Sequence, residues 1–445
     1  MKNTLLKYGL KLSGKDIFNK YDELKKLEFN LLENNIQIQE KKLKDILLHS
    51  WKFVPYYTKI LTEKKVVIKG KVNLNNFNKI PILKKEIIRN NFEELKSKDP
   101  KYYSRKPYLN TSGGSTGEPV LFIQDKNTWT KGMAEKWIYY SFISKKFPCK
   151  LLKLWGSERD ILKGGYGLKG NFKNWIYNRK FLNSFKMSQK DMNCYVQEIN
   201  RYKPLIIEAY VQSIYELSKF IKDNNLKIYS PKGIITSAGT LYPDMEKLIK
   251  EVFNCPVLNR YGSREVGDIA CSCKRDEGLH LNIFTHYLEI LNDKLKPCKP
   301  GEFGKVYVTT LDNYSMPLIR YDIGDIAIPS KKQKCSCGRG MPLIESVKGR
   351  DVNLFKTKDG NLIDGEFFTH LFYEKEGVQK FQVIQKSYKL INIKVIGKKE
   401  KLDIINIEKS IKLVMGKNCK IKWEFIKKIK PTKSGKYIYT ISEIK

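Results

Sequence analysis

The chain has 445 residues with 84 basic and 47 acidic side chains, which gives a formal net charge of +37. Its hydrophobic fraction of 41% and aromatic fraction of 12% are enough for a sizeable core, so a wholly disordered chain is excluded. No apolar run is long enough to span a membrane or to act as a signal peptide, so we expect a cytoplasmic protein without a transmembrane segment.

The excess positive charge is spread along the whole chain. Of the 84 basic residues, 11 are arginine and 73 are lysine, and they occur from Lys2 to Lys445. Nucleic-acid-binding proteins usually concentrate basic residues on one element with interleaved aromatics, and no such element is visible. We therefore interpret the charge as a lysine-rich surface and consider a nucleic-acid or anionic-membrane partner the weaker alternative.

The first hundred residues predict helices, and the next two hundred predict alternating strands and helices. Apolar residues recur at helical spacing from Asp22 to Leu48. From about residue 105 to 330, short apolar runs alternate with helical stretches, which is typical of an α/β fold with a largely parallel sheet. The expected strands include Leu151–Trp155, Leu205–Ala209, Gly233–Thr236 and Pro256–Leu258, and the expected helices include Met192–Tyr202 and Ser213–Asn224.

The C-terminal hundred residues predict a small α+β unit. It has a helix at about 403–414 and strands at Lys380–Gln385, Leu390–Val395 and Ile421–Phe425. We therefore predict two domains: a large one over residues 1–349, with a helical segment over about its first hundred residues, and a small one over 350–445.

A glycine-rich stretch with four hydroxyl residues occupies positions 110–119, Asn-Thr-Ser-Gly-Gly-Ser-Thr-Gly-Glu-Pro. Glycine lets backbone N–H groups turn toward an anion, and the hydroxyls add donors that can also reach a phosphate-bound Mg²⁺. The stretch lacks the Gly-Lys-Ser/Thr ending of a Walker loop. It predicts a phosphate-binding loop, with a flexible surface turn as the alternative.

Four further stretches have residue types suited to binding a nucleotide. Residues 259–265 follow an expected strand, where open α/β sheets place ligands; an aromatic ring there could stack on a base and Glu265 could hold a metal ion. In residues 317–325 an aspartate follows a β-type run and could accept ribose hydroxyls. The last two are Gly349-Arg350-Asp351 and Pro431-Thr432-Lys433-Ser434-Gly435-Lys436.

In this order and spacing, the five stretches resemble the motifs of the adenylate-forming superfamily, which includes acyl-CoA ligases, nonribosomal adenylation domains and luciferase. They extend from residue 110 to 436, about three quarters of the chain. Within the superfamily the chain is most similar to the phenylacetate–CoA ligase branch, and especially to its CapK-like members of capsular-polysaccharide synthesis. The stretches Cys335–Arg339 and Phe381–Gln385 carry this narrower similarity.

The resemblance implies a large α/β domain, with parallel sheets flanked by helices, and a small α+β lid. It also implies an ATP-dependent reaction in two steps. A carboxylate first attacks the α-phosphate, which releases pyrophosphate and forms an acyl-adenylate, and CoA or an amine then displaces AMP. Such a displacement needs positioning and charge neutralisation more than covalent chemistry, which suits the residue types of the motifs.

The same resemblance implies a role for each motif residue. Adenine would stack on Tyr261, beside Gly262, and Thr116 and Glu265 would bind Mg²⁺. Asp325 would accept the ribose hydroxyls, and Arg350 would contact ribose or phosphate. Lys436 would reach in from the lid to the carboxylate and the α-phosphate. The β- and γ-phosphates would be held by the loop residues Ser112, Gly113, Gly114, Ser115, Thr116 and Gly117.

Four positions depart from the family pattern. Gly113 stands where many relatives have a hydroxyl residue, and Glu118 stands where many have lysine. Thr240 replaces a frequent glutamate, and the hinge reads Asp351-Val352-Asn353, which leaves the pivot residue open. These departures keep the backbone cradle of the loop.

Nine cysteines are present, and four of them form two Cys-x-Cys pairs. In a protein that is not exported, such pairs favour a metal over disulfides. Cys273, His280, Cys335 and Cys337 together would make a closed tetrahedral Zn²⁺ site, with Cys271 as a competing ligand and metal-free thiols as the alternative. Relatives in the phenylacetate–CoA ligase branch often have Cys and His here, so we predict a structural zinc.

The sequence therefore predicts an adenylate-forming ligase whose partners are a small carboxylate and either CoA or an amine. By analogy with the CapK-like branch, we expect a role in envelope-polysaccharide synthesis. The alternatives are a catabolic aryl-CoA ligase and a catalytically inactive basic binding protein on the same fold.

Overall fold

The computed structural model describes residues 6, 9–10, 16–112, 120–145, 148–155, 174–184, 187–350, 354–359, 362–372, 375–430 and 438–444. No helix within these ranges is both long and apolar enough to cross a bilayer. The helices are α1 Ile17–Leu27, α2 Leu32–Phe53, α3 Pro55–Glu63, α4 Lys85–Asn90, α5 Lys126–Ser141, α6 Gln189–Tyr202, α7 Val211–Asp223, α8 Pro243–Phe253, α9 Gly365–His370 and α10 Ile404–Met415.

Most strands belong to one large sheet or to a small C-terminal sheet. In chain order they are β1 Val67–Ile68, β2 Lys71–Val72, β3 Tyr108–Thr111, β4 Leu121–Gln124, β5 Leu151–Trp155, β6 Arg179–Asn183, β7 Ile206–Tyr210, β8 Gly233–Ser237, β9 Val257–Ser263, β10 Gly267–Ser272, β11 Leu279–Leu281, β12 His286–Leu291, β13 Gly304–Thr310, β14 Tyr321–Pro329, β15 Leu343–Arg350, β16 Leu354–Lys356, β17 Leu362–Asp364, β18 Val378–Ser387, β19 Leu390–Gly397, β20 Lys420–Phe425 and β21 Thr440–Ser442.

The large sheet has eleven strands in the order β12-β13-β14-β15-β11-β10-β9-β8-β7-β5-β6. Its five strands from β9 to β6 are parallel, because helices α6, α7 and α8 supply the crossovers that parallel neighbours require. From β9 onward the pairs are antiparallel, beginning with the tight turn into β10 where Gly267 has φ +90°. The predicted α/β class is confirmed, with the parallel arrangement confined to one half of the sheet.

Outside the N-terminal segment, the predicted strands and helices lie within three residues of those observed, except that the strand predicted at Pro256–Leu258 continues to Ser263. Helical spacing was predicted to continue from Asp22 to Leu48, but the helix is interrupted between α1 and α2, where Leu31 is extended. The residues after the second Cys-x-Cys pair pack into this break: the Gly340 N–H donates to the Glu28 carbonyl, and a Cβ on Gly340 would meet the Asn30 oxygen at 1.9 Å. These contacts join residues more than 300 positions apart, so helical periodicity did not reveal the interruption.

The C-terminal residues form a four-stranded sheet in the order β20-β19-β18-β21, packed with α9 and α10. This sheet shares a continuous apolar core with α6, α7 and α8 of the large domain. Tyr439, just before β21, donates a 2.9 Å hydrogen bond from its hydroxyl to Oε1 of Gln212 at the start of α7. The domain boundary predicted at 349/350 falls at the end of β15.

Arg320, which opens the Arg-Tyr-x-x-Gly-Asp stretch, is a structural residue and is 1% exposed. Its Nε and Nη2 donate to the two carboxylate oxygens of Glu289 at 2.9 and 3.0 Å. Its Nη1 donates to the carbonyls of Asn78 and Ile80, both at 2.6 Å. One guanidinium therefore joins β12, β14 and the N-terminal segment.

Arg320→Met is expected to lower the free energy of unfolding by about 3–5 kcal/mol, because it leaves a buried Glu289 carboxylate without its cation. Urea unfolding measures this change. The matched control is Arg89→Met. Arg89 forms a 3.9 Å ion pair with exposed Glu86, and such a surface pair contributes little to the free energy of unfolding. The expected change is below about 0.5 kcal/mol. Similar losses in both variants would contradict the structural role.

Candidate active site

Two motifs that are 64 positions apart in the sequence meet through side chains of β9 and β14, which are separated by three strands in the sheet. The hydroxyl of Tyr261 donates a 2.9 Å hydrogen bond to Oδ2 of Asp325. Asp325 is 7% exposed, and its register partner across the β14–β15 ladder is Arg350. The structure therefore brings together the residues expected at adenine, at ribose and at the ribose–phosphate contact, although of Arg350 only the backbone is described.

The turn after Tyr261 is closely packed. A Cβ at Gly262 would meet the carbonyl oxygen of Gly267 at 2.4 Å and the Cα of Asp268 at 2.9 Å, so this position accepts no side chain. Glu265, the expected Mg²⁺ ligand, is buried, and its Oε1 accepts a 3.4 Å hydrogen bond from the Tyr321 hydroxyl. The turn thereby directs the Glu265 carboxylate toward Tyr321, the first residue of β14.

The β3–β4 hairpin holds the two ends of the predicted phosphate loop. Ser112 and Val120 close it, because the Val120 N–H donates to Ser112 Oγ and the Ser112 N–H donates to the Val120 carbonyl, both at 2.9 Å. Gln124 joins this hairpin to the turn between β9 and β10, since its Nε2 donates to the carbonyls of Arg264 and Glu265 at 3.3 and 3.2 Å. Sequence reasoning missed Gln124, because a lone amide at a strand end carries no recognisable signal.

The structure thus groups Tyr261, Gly262, Glu265 and Asp325, and it places Ser112 in the hairpin that Gln124 joins to them. The remaining predicted nucleotide residues fall outside the described ranges and keep the status of predictions. They are the loop residues Gly113, Gly114, Ser115, Thr116 and Gly117, and the lid residue Lys436.

The predicted Cys/His ligands form a compact group. One donor atom each of Cys273, His280, Cys335 and Cys337 lies within 4.8 Å of all the others. The sulfurs of Cys273 and Cys335 are 3.7 Å apart, and Cys337 Sγ is 3.4 Å from His280 Nε2. Cys271, considered as a competing ligand, lies outside this group; it is fully buried, and burial raises the pKa of its thiol.

This donor set fits a tetrahedral zinc ion. Zn–S and Zn–N distances of about 2.3 and 2.05 Å give S···S and S···N separations of about 3.8 and 3.5 Å, close to those found between the ligand pairs. Burial raises the pKa of the Cys337 thiol, but the hydrogen bond and charge of His280 outweigh this and hold it at about 5. The thiolate is the form of a cysteine side chain that binds a metal ion.

Comparisons with known proteins found a matching family model and two relatives. A family model described as the CapK C-terminal domain matches residues 355–443. Protein CapK of Staphylococcus aureus is 24% identical over 444 residues, which cover 96% of this chain and 92% of that protein. Phenylacetate-coenzyme A ligase of Thermus thermophilus is 24% identical over 361 residues, which cover 78% and 77%.

Solved structures have the same architecture. 2-Hydroxyisobutyryl-CoA ligase, in the postadenylation state with R3-HIB-AMP, superposes with a TM-score of 0.70 at 16% identity, covering 94% of this chain and 91% of that one. The chain has the adenylate-forming fold. An amide bond synthetase from Marinactinospora thermotolerans superposes at 0.53 with 13% identity, covering 74% and 66%. The predicted resemblance, fold class and class of enzyme are thereby confirmed.

The same 2-hydroxyisobutyryl-CoA ligase in its thioesterification state superposes on this chain at a TM-score of 0.55, against 0.70 for the postadenylation state.

Proposed function

We propose that this protein uses ATP to convert a small carboxylic acid into an acyl-adenylate and then transfers the acyl group to CoA or an amine. The observation that carries the proposal is the hydrogen bond between Tyr261 and Asp325, with Glu265 and the hairpin of Ser112 beside it. Side chains from two separate stretches meet here, and Gln124 joins the hairpin to them, which supports a nucleotide site. Solved relatives bind acyl-AMP molecules, and that chemistry is the one we extend to this chain.

Each side chain of the site has a role in this reaction. The Tyr261 ring stacks on adenine, and its hydroxyl orients Asp325, whose carboxylate accepts the two ribose hydroxyls. The backbone of the Ser112–Gly117 loop surrounds the β- and γ-phosphates. Glu265 and Thr116 would hold Mg²⁺, and the bound ion would neutralise charge on the phosphates. Lys436 stabilises the charge that develops between the carboxylate and the α-phosphate.

We propose CoA or an amine as the acceptor, since the solved neighbours include both a CoA ligase and an amide bond synthetase. The similarity to protein CapK over nearly the whole chain supports a role in capsular or envelope polysaccharide synthesis. In that setting the activated acid would acylate an amino-sugar. The Cys/His cluster would hold a structural Zn²⁺, because its four protein donors leave no open position for a substrate.

ATP–pyrophosphate exchange across a library of carboxylic acids tests the proposed function. We expect exchange with a narrow class of acids, and we expect Asp325→Asn to reduce kcat/KM for ATP about 10- to 100-fold through weaker hydrogen bonds to ribose. The control is Asp322→Asn on the same strand, which keeps the oxygen that accepts from the Gly324 N–H. Absence of exchange with every acid, or equal losses in both variants, would contradict the proposal.

A further inference from the structure

A buried network of charged side chains lies on one face of the parallel half of the large sheet. At its centre is Glu208 of β7, which is fully buried. Its Oε1 lies 2.6 Å from Nη2 of Arg260 on β9, and its Oε2 lies 2.9 Å from Nζ of Lys153 on β5. Tyr140 of α5 donates a 2.5 Å hydrogen bond to this carboxylate, and Nζ of Lys136, one turn earlier, lies 3.8 Å from it. Three cations therefore surround one carboxylate.

The network includes one more carboxylate, so it has three positive and two negative side chains. Asp268 of β10 lies with Oδ1 3.4 Å from Arg260 Nε and with Oδ2 3.8 Å from Lys136 Nζ. Arg260 is 3% exposed, yet its Nε and Nη1 have no hydrogen-bond partner among the described residues. Unused donors on a buried guanidinium are costly, and a bound anion would supply the missing acceptors.

With three positive and two negative side chains, the network has one positive charge in excess at neutral pH. Burial lowers the pKa of Lys153 to about 8, against the opposing effect of Glu208, so the amine is still mostly protonated at pH 7. Burial also acts to raise the pKa of Glu208, but the charges of Lys153, Arg260 and Lys136 hold it well below its usual range. The Glu208 carboxylate is therefore ionised, and the network keeps one positive charge in excess.

The network lies two residues before the ends of β5 and β7, and on β9 it is next to the tyrosine expected at adenine. Arg260 immediately precedes Tyr261, so their side chains lie on opposite faces of the strand. The last residues of β5 and β7, Trp155 and Tyr210, have ring centroids 4.2 Å apart, and the Arg260 guanidinium lies 5.9 Å from the Trp155 ring. The side chains of Lys136 and Lys153 remain 22% and 13% exposed, so the network is not sealed from solvent.

We propose that the acid activated by this protein carries a second anionic group, and that Arg260 and Lys153 bind that group. The inference rests on the proposed function and assigns its substrate class: small dicarboxylic acids, with one carboxylate reacting at the α-phosphate and the other held by the buried cations. An acyl chain with an apolar end would leave the guanidinium donors unpaired and would also remove solvent from the network. Such a chain is therefore disfavoured.

Matched pairs of acyl-sulfamoyl adenosines, which are stable mimics of acyl-adenylates, test this substrate class. In each pair the acyl chain ends either in a carboxylate or in an isopropyl group of similar shape, over a series of chain lengths. Isothermal titration calorimetry with the full chain is expected to give at least about tenfold tighter binding for the carboxylate member of the best pair. Lys153→Met is expected to remove most of this preference.

The control variant is Lys222→Met, at a half-exposed lysine of α7 that pairs with Glu251, and it should keep the full preference. Equal binding of both members by the wild-type chain overturns the assigned substrate class and leaves the proposed function intact. Failure of every mimic to bind overturns the proposed function as well, because the mimics share the adenosine. The comparison within the wild-type chain decides the question even where a variant fails to fold.

Discussion

Lys436→Ala is expected to reduce acyl-adenylate formation about 10²- to 10³-fold, the size of effect seen when a single preorganised electrostatic group is removed from a transition state. The substitution should leave acyl transfer from a preformed adenylate almost unchanged, because the charge of the lysine is needed only while pyrophosphate departs. Pyrophosphate exchange reports the first step, and single-turnover transfer from synthetic acyl-adenylate reports the second.

One contact of the C-terminal sheet is close in sequence to this lysine. The hydroxyl of Tyr439, three residues after Lys436, donates a hydrogen bond to Gln212, which follows the end of β7 by two residues. Lys433→Ala in the same segment is the matched control and should keep exchange near the wild-type rate. Equal loss of both half-reactions in Lys436→Ala would show that this lysine is not specific to adenylation.

Metal content is the second large effect we expect. Protein purified without chelators should contain about one equivalent of zinc, since three thiolates and one imidazole saturate a tetrahedral ion. Cys335→Ser should reduce this content to nearly zero and lower the midpoint of thermal unfolding, because the ion joins the loop after β10 to the loop before β15. Elemental analysis and thermal denaturation measure the two quantities.

Cys271→Ser provides a sharp control for the metal site. Cys271 is only two residues from Cys273 but lies outside the ligand group, so its replacement should leave the zinc content at about one equivalent. Metal-free wild-type protein of full stability would remove the zinc hypothesis. Loss of zinc in both variants would mean that Cys271, and not Cys273 alone, contributes to the site.

Two residues of the buried network around Glu208 stand out in the sequence, because each is a charged residue inside an apolar strand. Lys153 interrupts the apolar run Leu-Leu-Lys-Leu-Trp, and Glu208 interrupts Ile-Ile-Glu-Ala-Tyr, although strands of a parallel sheet covered on both faces usually read as continuous apolar runs. A charge inside such a run requires a partner, so each residue could have been marked as paired. That Lys153 and Glu208 pair with each other and with Arg260 follows from the register of β5, β7 and β9.

By itself, the sequence determined the type and approximate extent of most strands and helices, the order of the five motifs and the ligand types of the metal cluster. These features depend on side-chain periodicity and residue chemistry, which act over a few neighbouring positions. Only the tertiary structure decided which distant groups meet: the break before α2, the bond from Tyr261 to Asp325, the choice of Cys273 over Cys271 and the cations around Glu208. Such contacts join residues up to 312 positions apart, and their geometry depends on strand order and packing, which local patterns do not encode.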